Sequence, residues 1–558
     1  MLNTALAEVH RWLSNEGFSR IHGEARWYAY DGILVCNKLE VPVRLRFENL
    51  DFTDLPEIYL LDPRPEKLQR PLSHVDTEGK LCYLDAEAHF LDRYQPVKSV
   101  ATLLELARNV LVDSLRDKNS GDVGYEFSAY WDWSVLGVSL STPSSGSVVS
   151  FNYLAYSSPT GNDHKQIVVG TKEEIKKYAD WKNGTLCNMS DHTAIWIRMT
   201  LPPLLPASGM WPPNNVKSFF HWLGLVDPAS AKKLSQVLGT KAGARNPILI
   251  VLEHHSGVVA VQITIPENIA KSTDFPSRFR KQLLIDKGNL GTRFVRIRLD
   301  DYSPRFLTSR NLASKSLESK RIVLIGCGTI GGYLARLLVQ VGAGLGIGEL
   351  VLYDGQALSV GNIGRHYLDG KYLYDNKADA CCHKLQKEYP SSTISSAKSD
   401  FVSLKSAKKA DLVIDATGRE AFSLMLNAQA LDLKNTRNAC PDILYAWIDG
   451  NGCCGRTFHF DGTSACYRCL RTPSGEDRFP PLKSSDDLVP MQYQCSDSYV
   501  PFPPSASTQA AAIALEAVLG WAEGNTNPTF RTRGFTQSAR KHKNQNIDAM
   551  TGCPACQS

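Results

Sequence analysis

The stretch Arg321-Ile-Val-Leu-Ile325-Gly326-Cys-Gly328-Thr-Ile-Gly331-Gly332 decides the fold of the C-terminal part of this chain. Its first five residues form an apolar run typical of a buried β-strand, and the residues from Tyr333 to Val341 have helical spacing. Glycines between a strand and a helix let the backbone approach a phosphate at the helix N-terminus. The stretch therefore predicts an α/β domain whose glycine loop, Gly326, Gly328 and Gly331, contacts a phosphate group.

A second strand supports this interpretation. Glu349-Leu-Val-Leu-Tyr353 has strand character and is followed by Asp354, an acidic residue that can bind ribose hydroxyls at this position. The glycines alone are equally compatible with a tight turn or with an NAD site. Three polar residues farther along the chain favour a nucleotide other than NAD: Asn362, Arg365 and Lys377.

The set Asp354, Asn362, Arg365 and Lys377 resembles the signature of the ThiF/MoeB/ubiquitin-activating family, in which an Asp is followed by Asn-x-x-Arg and then by Lys-Ala. The resemblance implies a Rossmann-like adenylating domain that uses ATP, not NAD. It also implies that Asp354 holds the ribose and Asn362 a phosphate. Attack at the α-phosphorus develops negative charge on its oxygens and on the leaving pyrophosphate, and Arg365 and Lys377 would offset that charge.

The expected magnesium contact departs from the family pattern. That pattern ends a later strand with Asp-x-Thr-Asp, and the second Asp helps to hold Mg²⁺. Here Asp411-Leu-Val-Ile-Asp415-Ala-Thr-Gly418 has a glycine at the second position. Asp415 matches the first acidic residue and is expected at the nucleotide site, while Glu420 is a candidate substitute for the metal contact.

Two Cys-x-x-Cys pairs, Cys466-Tyr-Arg-Cys469 and Cys553-Pro-Ala-Cys556, can together present four thiolates to one tetrahedral ion. A closed site of this kind leaves no open coordination position, so we expect a structural Zn²⁺. Zinc-ribbon spacing does not predict so long a separation, but the activating family places one pair after the sheet and the other near the C-terminus. The alternative is two unrelated redox or free pairs.

The family resemblance extends to a reactive thiol. Cys495 lies in Gln492-Tyr-Gln-Cys495-Ser, ahead of a Pro-containing turn and a helix-like run from Ser507 to Trp521. Ser507-Thr-Gln-Ala resembles the start of the family helix that follows the catalytic cysteine. The resemblance therefore implies that Cys495 takes the activated protein as a thioester. Four other cysteines have no such context and are predicted to be buried and inert: Cys381, Cys382, Cys453 and Cys454.

Residues 1–118 mix helix and strand signals, with helices predicted over Leu2–Leu13 and Val100–Leu115 and strands within Leu34–Phe47. His74-Val-Asp76, followed by Gly-Lys-Leu-Cys82, resembles the His-Pro-Asn and Gly-x-Leu-Cys segments of ubiquitin-conjugating enzymes. The resemblance implies an α+β domain in which Cys82 carries a thioester. Asp76 stands where that family has the Asn linked to oxyanion stabilisation, which leaves the oxyanion donor open. The alternative is a small α+β domain with a buried cysteine.

Residues 119–305 form a middle region with no matching motif. Ile248–Leu252 and Val258–Ile263 flank a Glu-His-His-Ser-Gly segment and predict a hairpin of buried strands in an α+β domain. His254 and His255 lack further ligands at metal spacing, so we predict that they are turn residues.

Bulk properties limit the functional classes. The 558-residue chain is too long for one core. Its formal charge of +5 is small for this size and does not indicate nucleic-acid binding. We expect no signal peptide, and no stretch approaches the roughly 18 apolar residues of a membrane span. The 14 cysteines then favour a reducing, cytoplasmic compartment.

A conjugating-type domain (1–118), a middle domain (119–305) and an activating-type domain (306–558) together resemble the CD-NTase-associated ubiquitin-transferase-like fusions of bacterial CBASS antiphage operons. The resemblance implies that ATP adenylates the C-terminal carboxylate of a partner protein, in that group a cyclic-nucleotide synthase. The acyl group would pass to Cys495, then to Cys82, and finally to an acceptor amine. It also implies a homodimer. Two alternatives remain: a sulfur-carrier activator of the ThiF/MoeB type, and a non-enzymatic scaffold with a degenerate ATP fold.

Overall fold

The structure is a computed structural model that divides into two units, each described by itself. Unit 1 comprises Met1–Ser139, Pro143–Ile175 and Thr185–Asp301, and unit 2 comprises Leu140–Thr142, Lys176–Gly184 and Tyr302–Ser558. The described residues are 2–23, 26–69, 72–76, 78–83, 90–131, 133–187, 192–206, 211–240, 246–254, 257–267, 292–309, 312, 316–390, 392–450, 452–484, 491–494, 497–499 and 502–557.

A four-stranded antiparallel sheet with two helices opens unit 1. Its elements in chain order are α1 (Leu2–Asn15), β1 (Ser19–Ile21), β2 (Tyr28–Cys36), β3 (Leu39–Phe47), β4 (Glu57–Leu60) and α2 (Pro96–Leu115). The strands pair in the order β1-β2-β3-β4. Alternate residues of β3, such as Val43 and Leu45, are buried in one cluster with apolar residues of α2, including Leu103 and Leu111. Pro96 begins α2, where its fixed φ and missing N–H suit the first helical position.

The middle of the chain forms a closed ring of strands. Its elements are α3 (Val123–Glu126), β5 (Val135–Ser139), β6 (Val148–Ser157), β7 (Asp163–Gly170), α4 (Lys172–Trp181), β8 (Thr185–Leu186), β9 (His192–Arg198), α5 (Val216–Val226), α6 (Pro228–Leu238), β10 (Ile248–His254), β11 (Gly257–Thr264) and β12 (Arg293–Asp301). The order is β7-β5-β12-β11-β10-β9-β6-β8, and β7 also pairs with β6, which closes the ring. One buried cluster, including Trp196 and Leu249, and a second, including Trp131 and Phe219, make up its core.

Unit 2 is dominated by a C-terminal sheet. Its elements are α7 (Pro304–Ser309), β13 (Arg321–Ile325), α8 (Thr329–Gln340), β14 (Glu349–Tyr353), α9 (Val360–Ile363), α10 (Lys377–Glu388), β15 (Ile394–Ala397), β16 (Leu412–Asp415), α11 (Glu420–Asn435), β17 (Asp442–Asp449), β18 (Cys454–Phe460), β19 (Met491–Gln494), β20 (Asp497–Tyr499), α12 (Pro504–Ala522) and β21 (Phe530–Gly534).

Seven of these strands form one sheet in the order β15-β14-β13-β16-β17-β18-β21, and β19 and β20 pair separately. The first five strands of the sheet are parallel, and β18 pairs antiparallel with both of its neighbours, β17 and β21. The chain reverses its direction of travel across the sheet between β13 and β16. In parallel α/β sheets a ligand binds in the crevice at such a switch point, outside the carboxyl ends of the strands. The fold therefore places a crevice beside the end of β13, where the glycine loop begins.

Most predicted elements are confirmed, with shifted ends. The helix expected over Tyr333–Val341 begins earlier, at Thr329, because the glycine loop itself enters the first helical turn. The hairpin of the middle region is confirmed as β10 and β11. The prediction for His254 is wrong: it ends β10 and is buried against the ring of Phe127, at 5.4 Å between ring centroids. His255 lies outside the described residues.

Unit 1 contains both the N-terminal sheet and the strand ring, so the predicted boundary at residues 118 and 119 stays a prediction. Among the described residues, no helix combines the length and apolar composition that crossing a membrane would require.

Candidate functional site

The glycine loop joins β13 to α8 at the switch point of the C-terminal sheet. Gly326 has φ +86°, a left-handed conformation that favours glycine. A Cβ atom on Gly331 would lie 1.7 Å from the carbonyl oxygen of Gly326, so a side chain there is sterically excluded. Gly328 precedes the first residue of α8 and leaves open space on its Cα. The loop thus brings bare backbone and the N-terminus of α8 to the edge of the crevice, which suits an anion.

A cavity of about 530 Å³ adjoins this loop. That volume falls within the roughly 300–1,000 Å³ of small-molecule sites in proteins. Its lining includes Gly326, Gly328, Asp354, Gln356, Asp400 and Phe502. The cavity therefore has the size, the backbone cradle and the polar groups that a nucleotide needs.

Asp354 is fixed at the end of β14 by two backbone amides. Its Oδ2 atom accepts a hydrogen bond from the Cys327 N–H at 2.8 Å, and its Oδ1 atom accepts one from the Gln356 N–H at 2.8 Å. The carboxylate therefore holds the glycine loop while it lines the cavity. Each carboxylate oxygen can accept a further hydrogen bond, which leaves capacity for a hydroxyl donor.

Lys377 begins α10 and is only 6% exposed. Its Nζ atom donates a hydrogen bond to the Oε1 atom of Gln356 at 2.9 Å, and Gln356 lines the cavity. A buried ammonium group needs partners because water no longer solvates it. The single amide oxygen neutralises none of its charge, so the fold keeps a cation beside the cavity.

Arg365 and Asn362 belong to the short segment that contains α9. The guanidinium carbon of Arg365 lies 4.8 Å from the ring centroid of Phe502, which lines the cavity. The Oδ1 atom of Asn362 accepts hydrogen bonds from the N–H of Ser359 at 3.1 Å and from its hydroxyl at 3.0 Å. These contacts orient the segment, and their roles toward phosphate stay predictions.

Asp415 is almost fully buried at the end of β16. Its Oδ1 atom accepts hydrogen bonds from the Thr417 N–H and hydroxyl, and its Oδ2 atom accepts one from the Ser423 hydroxyl at 2.6 Å. Burial raises the pKa of Asp415 against the opposing effect of these bonds. In this arrangement Asp415 shapes the turn that carries Gly418, which itself lines the cavity.

The carboxylate of Glu420 is already engaged. The Nε and Nη2 atoms of Arg471 donate to its two oxygens at 2.6 Å and 2.9 Å. A magnesium contact by Glu420 would have to compete with this bidentate pair. Among the described residues, the carboxylates that line the cavity at the glycine loop are those of Asp354 and Asp400.

The four predicted zinc ligands come together in space. The ligand atoms of Cys466, Cys469, Cys553 and Cys556 all lie within 4.8 Å of one another. Three of the sulfur–sulfur distances are 3.8 Å, 3.9 Å and 3.5 Å. A tetrahedral ion with Zn–S bonds of about 2.3 Å requires sulfur–sulfur distances of about 3.8 Å. The cluster therefore fits a zinc ion held by four thiolates.

The structure describes the four cysteines that were predicted to be inert. Cys381, Cys382, Cys453 and Cys454 are buried, as predicted. Burial raises the pKa of the Cys454 thiol to about 12, which keeps it protonated and unreactive. Cys495 lies outside the described residues, so its role stays a prediction.

Cys82 lies in the N-terminal unit with its side chain exposed. Its N–H donates to the carbonyl oxygen of His74 at 2.8 Å, which pairs the two predicted motif segments side by side. Both residues line a cavity of about 600 Å³, together with Leu55, Pro56 and Tyr83. The alternative of a buried cysteine is therefore wrong. The cavity also offers space for an acyl group attached to the Cys82 sulfur.

The sequence did not reveal a second wall of this cavity. Ser128, Ala129 and Tyr130, from the segment after α3, line it together with the motif residues. The hydroxyl of Tyr130 accepts a hydrogen bond from the His74 N–H. The Nε2 atom of His74 lies 3.1 Å from the Oδ2 atom of Asp122. No local pattern marks these residues, because they meet His74 only through tertiary packing.

Asp76 caps a tight turn beside Cys82. Its Oδ1 atom accepts hydrogen bonds from the N–H groups of Glu78 at 2.9 Å and Lys80 at 2.8 Å. An ionised carboxylate only accepts hydrogen bonds, so Asp76 cannot replace an asparagine amide as an oxyanion donor.

Comparison with known proteins agrees with this two-part arrangement. Residues 303–555 match the ThiF family, and residues 25–135 match the prokaryotic E2 family B. The ATP-dependent ubiquitin transferase-like protein Cap2 of Pseudomonas aeruginosa is 30% identical over 559 residues, covering 98% of this chain and 96% of that protein. Cap2 of Vibrio cholerae is 28% identical and covers 90% of this chain and 89% of its own length.

The solved structure of Escherichia coli MccB with ATP covers 43% of this chain and 68% of its own, with 16% identity and a TM-score of 0.34. The match to the Pseudomonas protein extends over both the nucleotide cavity and the Cys82 cavity. The chain belongs to the family of ATP-dependent ubiquitin transferase-like Cap2 proteins and is an enzyme of that kind.

Proposed function

We propose that this enzyme activates the C-terminal carboxylate of a partner protein with ATP and conjugates that protein to an amine. The observation that carries the proposal is the exposed Cys82 thiol in a cavity large enough for an acyl group, in a chain that also has a ThiF-type nucleotide cavity. A thiol acceptor is of use only if an activated carboxylate reaches it, and adenylation provides that activation.

The first step forms an acyl adenylate. A carboxylate oxygen of the partner attacks the α-phosphorus of ATP, and the bond from that phosphorus to the bridging oxygen breaks to release pyrophosphate. The glycine loop, Gly326, Gly328 and Gly331, donates backbone amides to the phosphates, and Asp354 accepts from a ribose hydroxyl. Lys377, Arg365 and Asn362 stabilise the charge that develops. Mg²⁺ accompanies the triphosphate, and Asp415 supports the site by holding the turn at Gly418.

Two thiol steps follow. The thiolate of Cys495 attacks the acyl carbon, and AMP leaves. The thiolate of Cys82 then attacks the Cys495 thioester, so that the acyl group moves to Cys82 and Cys495 is restored as a thiol. An amine, such as a lysine side chain, attacks this second thioester, loses a proton and releases the Cys82 thiol.

Resemblance supports the biological setting. The fusion of the two domain types resembles the group associated with cyclic-nucleotide synthases, so we infer that such a synthase donates the carboxylate, in cytoplasmic antiphage defence. The activating domains of that family commonly pair through their sheets, and we infer a homodimer. The four-thiolate zinc site stabilises the fold and takes no part in the chemistry, since it has no open position.

The test is non-reducing electrophoresis of the full chain mixed with ATP and a cyclic-nucleotide synthase. Wild type should form an adduct that disappears with thiol reductant. Cys82→Ser should accumulate an adduct at position 82 that resists reductant, because an oxyester replaces the thioester. Cys495→Ala should form no adduct at Cys82. Cys187→Ser, which changes an exposed thiol outside both cavities, is the matched control and should behave as wild type.

Each outcome distinguishes the proposal from its alternatives. If no wild-type adduct forms with any synthase tested and no ATP–pyrophosphate exchange occurs, the proposed activation and thiol transfer are wrong, and the result favours the scaffold alternative. Exchange that survives Cys82→Ala, together with sulfur transfer to the activated carboxylate, would identify a sulfur-carrier activator. If Cys495→Ala still charges Cys82, the order of the two thiols is wrong.

A further inference from the structure

His366 follows Arg365 directly and is buried, with 6% of its surface exposed. Its Nε2 atom lies 2.7 Å from the carbonyl oxygen of Cys327, in the middle of the glycine loop. The N–H of Cys327 in turn donates to Asp354 at 2.8 Å. Residue 327 is therefore held on both sides, through its N–H by the end of β14 and through its carbonyl by the imidazole.

The second ring nitrogen fixes the protonation state of His366. The N–H of Leu368 donates to the Nδ1 atom at 3.0 Å, so Nδ1 must keep its lone pair. A carbonyl oxygen can only accept, so Nε2 must carry the proton and donate to Cys327. Both bonds are satisfied only by the neutral imidazole with its proton on Nε2. A proton on Nδ1 would break the bond to Leu368.

The ring also packs tightly against the first turn of α8. A Cβ atom on Gly332 would lie 3.2 Å from the Cε1 atom of His366, which is closer than an ordinary contact. The hydroxyl of Tyr333 donates to the carbonyl oxygen of His366 at 3.4 Å. The imidazole thus has almost no freedom to move while α8 is in place.

The charged groups around His366 come from neighbouring elements. Lys377 at the start of α10 disfavours a second positive charge, while Asp354 at the end of β14 favours one. Arg365 adjoins it on its own segment. Burial lowers the pKa of His366 most, Lys377 lowers it further, and the bond to Cys327 and the charge of Asp354 oppose both.

We propose that His366, as a neutral imidazole, is a positioning residue that locks the glycine loop to the Asn362–Arg365 segment, so that the backbone amides and the cation meet the triphosphate in one rigid arrangement. This inference rests on the proposed ATP site. Protonation of His366 releases the Leu368 amide, loosens the segment and weakens ATP binding. The loop and the segment therefore act as one unit only while the imidazole is uncharged.

The test measures ATP binding to the full chain by isothermal titration calorimetry from about pH 4.5 to about pH 8, a range that extends well below the ordinary pKa of histidine. Glutamine offers one donor and one acceptor without titrating, so His366→Gln is the conservative variant, and His366→Leu removes both bonds. His383→Leu, an exposed histidine on α10, is the matched control. Melting temperature is recorded for each protein at each pH.

At pH near 7.5 we expect His366→Leu to bind ATP about tenfold more weakly than wild type, since a buried carbonyl and a buried amide lose their partners. His366→Gln and His383→Leu should bind within about twofold of wild type. Because burial lowers the pKa of His366, the imidazole stays neutral at about pH 6.5, and the affinity of wild type should fall relative to that of His366→Gln only at lower pH, toward the acid end of the range. ATP itself also titrates in this range, but it does so equally for both proteins. The ratio of their two ATP affinities at each pH therefore cancels that contribution.

A constant ratio of wild type to His366→Gln affinity across the pH range would overturn the inference, even if His366→Leu failed to fold. Unchanged binding by a folded His366→Leu would also overturn it. Failure of wild type to bind ATP at any pH would instead overturn the proposed nucleotide site. A merely structural role would lower the melting temperature of the variants without changing the pH dependence of ATP binding.

Discussion

The Sγ atoms of Cys466 and Cys553 lie 3.9 Å apart, although 87 residues separate the two cysteines along the chain. With Cys469 and Cys556 they form a cluster sized for one Zn²⁺. We expect purified protein to contain about one zinc per chain, and Cys553→Ser to lose it. Melting temperature should fall by about 5 °C or more, because the binding energy of a structural metal is folding energy.

Metal content by plasma mass spectrometry and thermal unfolding check this prediction. Cys187→Ser removes an exposed thiol outside the cluster and should keep both the zinc and the melting temperature. Equal zinc in wild type and Cys553→Ser would contradict the site.

Gly331→Ala should weaken ATP binding by at least about tenfold and lower stability. The added methyl would lie 1.7 Å from the Gly326 carbonyl oxygen, so the loop or α8 must move. Titration calorimetry with ATP measures the effect. Gly370→Ala, where an added Cβ has no neighbour within 4 Å, should bind as wild type does. Normal binding by Gly331→Ala would show that the loop does not cradle the phosphates.

Lys377→Met should reduce AMP formation with ATP and the partner protein by about 100-fold or more. Methionine keeps the apolar bulk but removes the only charge that the buried side chain brings to Gln356 and the cavity edge. Lys371→Met changes an exposed lysine nearby and serves as the control. Activity retained by Lys377→Met would place the catalytic cation elsewhere.

Cys82 should react with iodoacetamide at least about tenfold faster than Cys36 at pH 8. Cys82 is exposed, whereas burial raises the pKa of the Cys36 thiol to about 11 and keeps it protonated. Peptide mass spectrometry follows each site, with exposed Cys187 as the positive control. Equal rates for Cys82 and Cys36 would contradict the exposure of Cys82.

The sequence predicted the elements whose signals are local. The apolar run Arg321–Ile325, the glycines after it and the hairpin around His254 each carry their own periodicity or turn residues, and each strand is present. The convergence of the two cysteine pairs was also predictable, because four thiolates at family spacing point to one ion.

The contacts that could not be predicted from the sequence depend on tertiary packing. Asp122 and Tyr130 reach His74 from 48 and 56 residues away, and no periodicity encodes such contacts. The lack of further ligands at metal spacing predicts a turn position for His254, yet β10 continues through it and its ring is buried against Phe127. The family motif predicts Asp415 at the nucleotide site. It could not reveal that the hydroxyls of Thr417 and Ser423 already donate hydrogen bonds to the two carboxylate oxygens of Asp415.

The closed ring of strands in the middle of the chain affects how readily the protein aggregates. Unpaired strand edges are where folded chains add to one another and begin to aggregate. Because β7 pairs with both β5 and β6, the ring β5-β12-β11-β10-β9-β6-β7 gives each of these strands a neighbour on both sides. An enzyme that carries reactive thioesters, as we propose for this chain, must stay folded until its acceptor arrives. The ring gives it a region with few places for self-association to start.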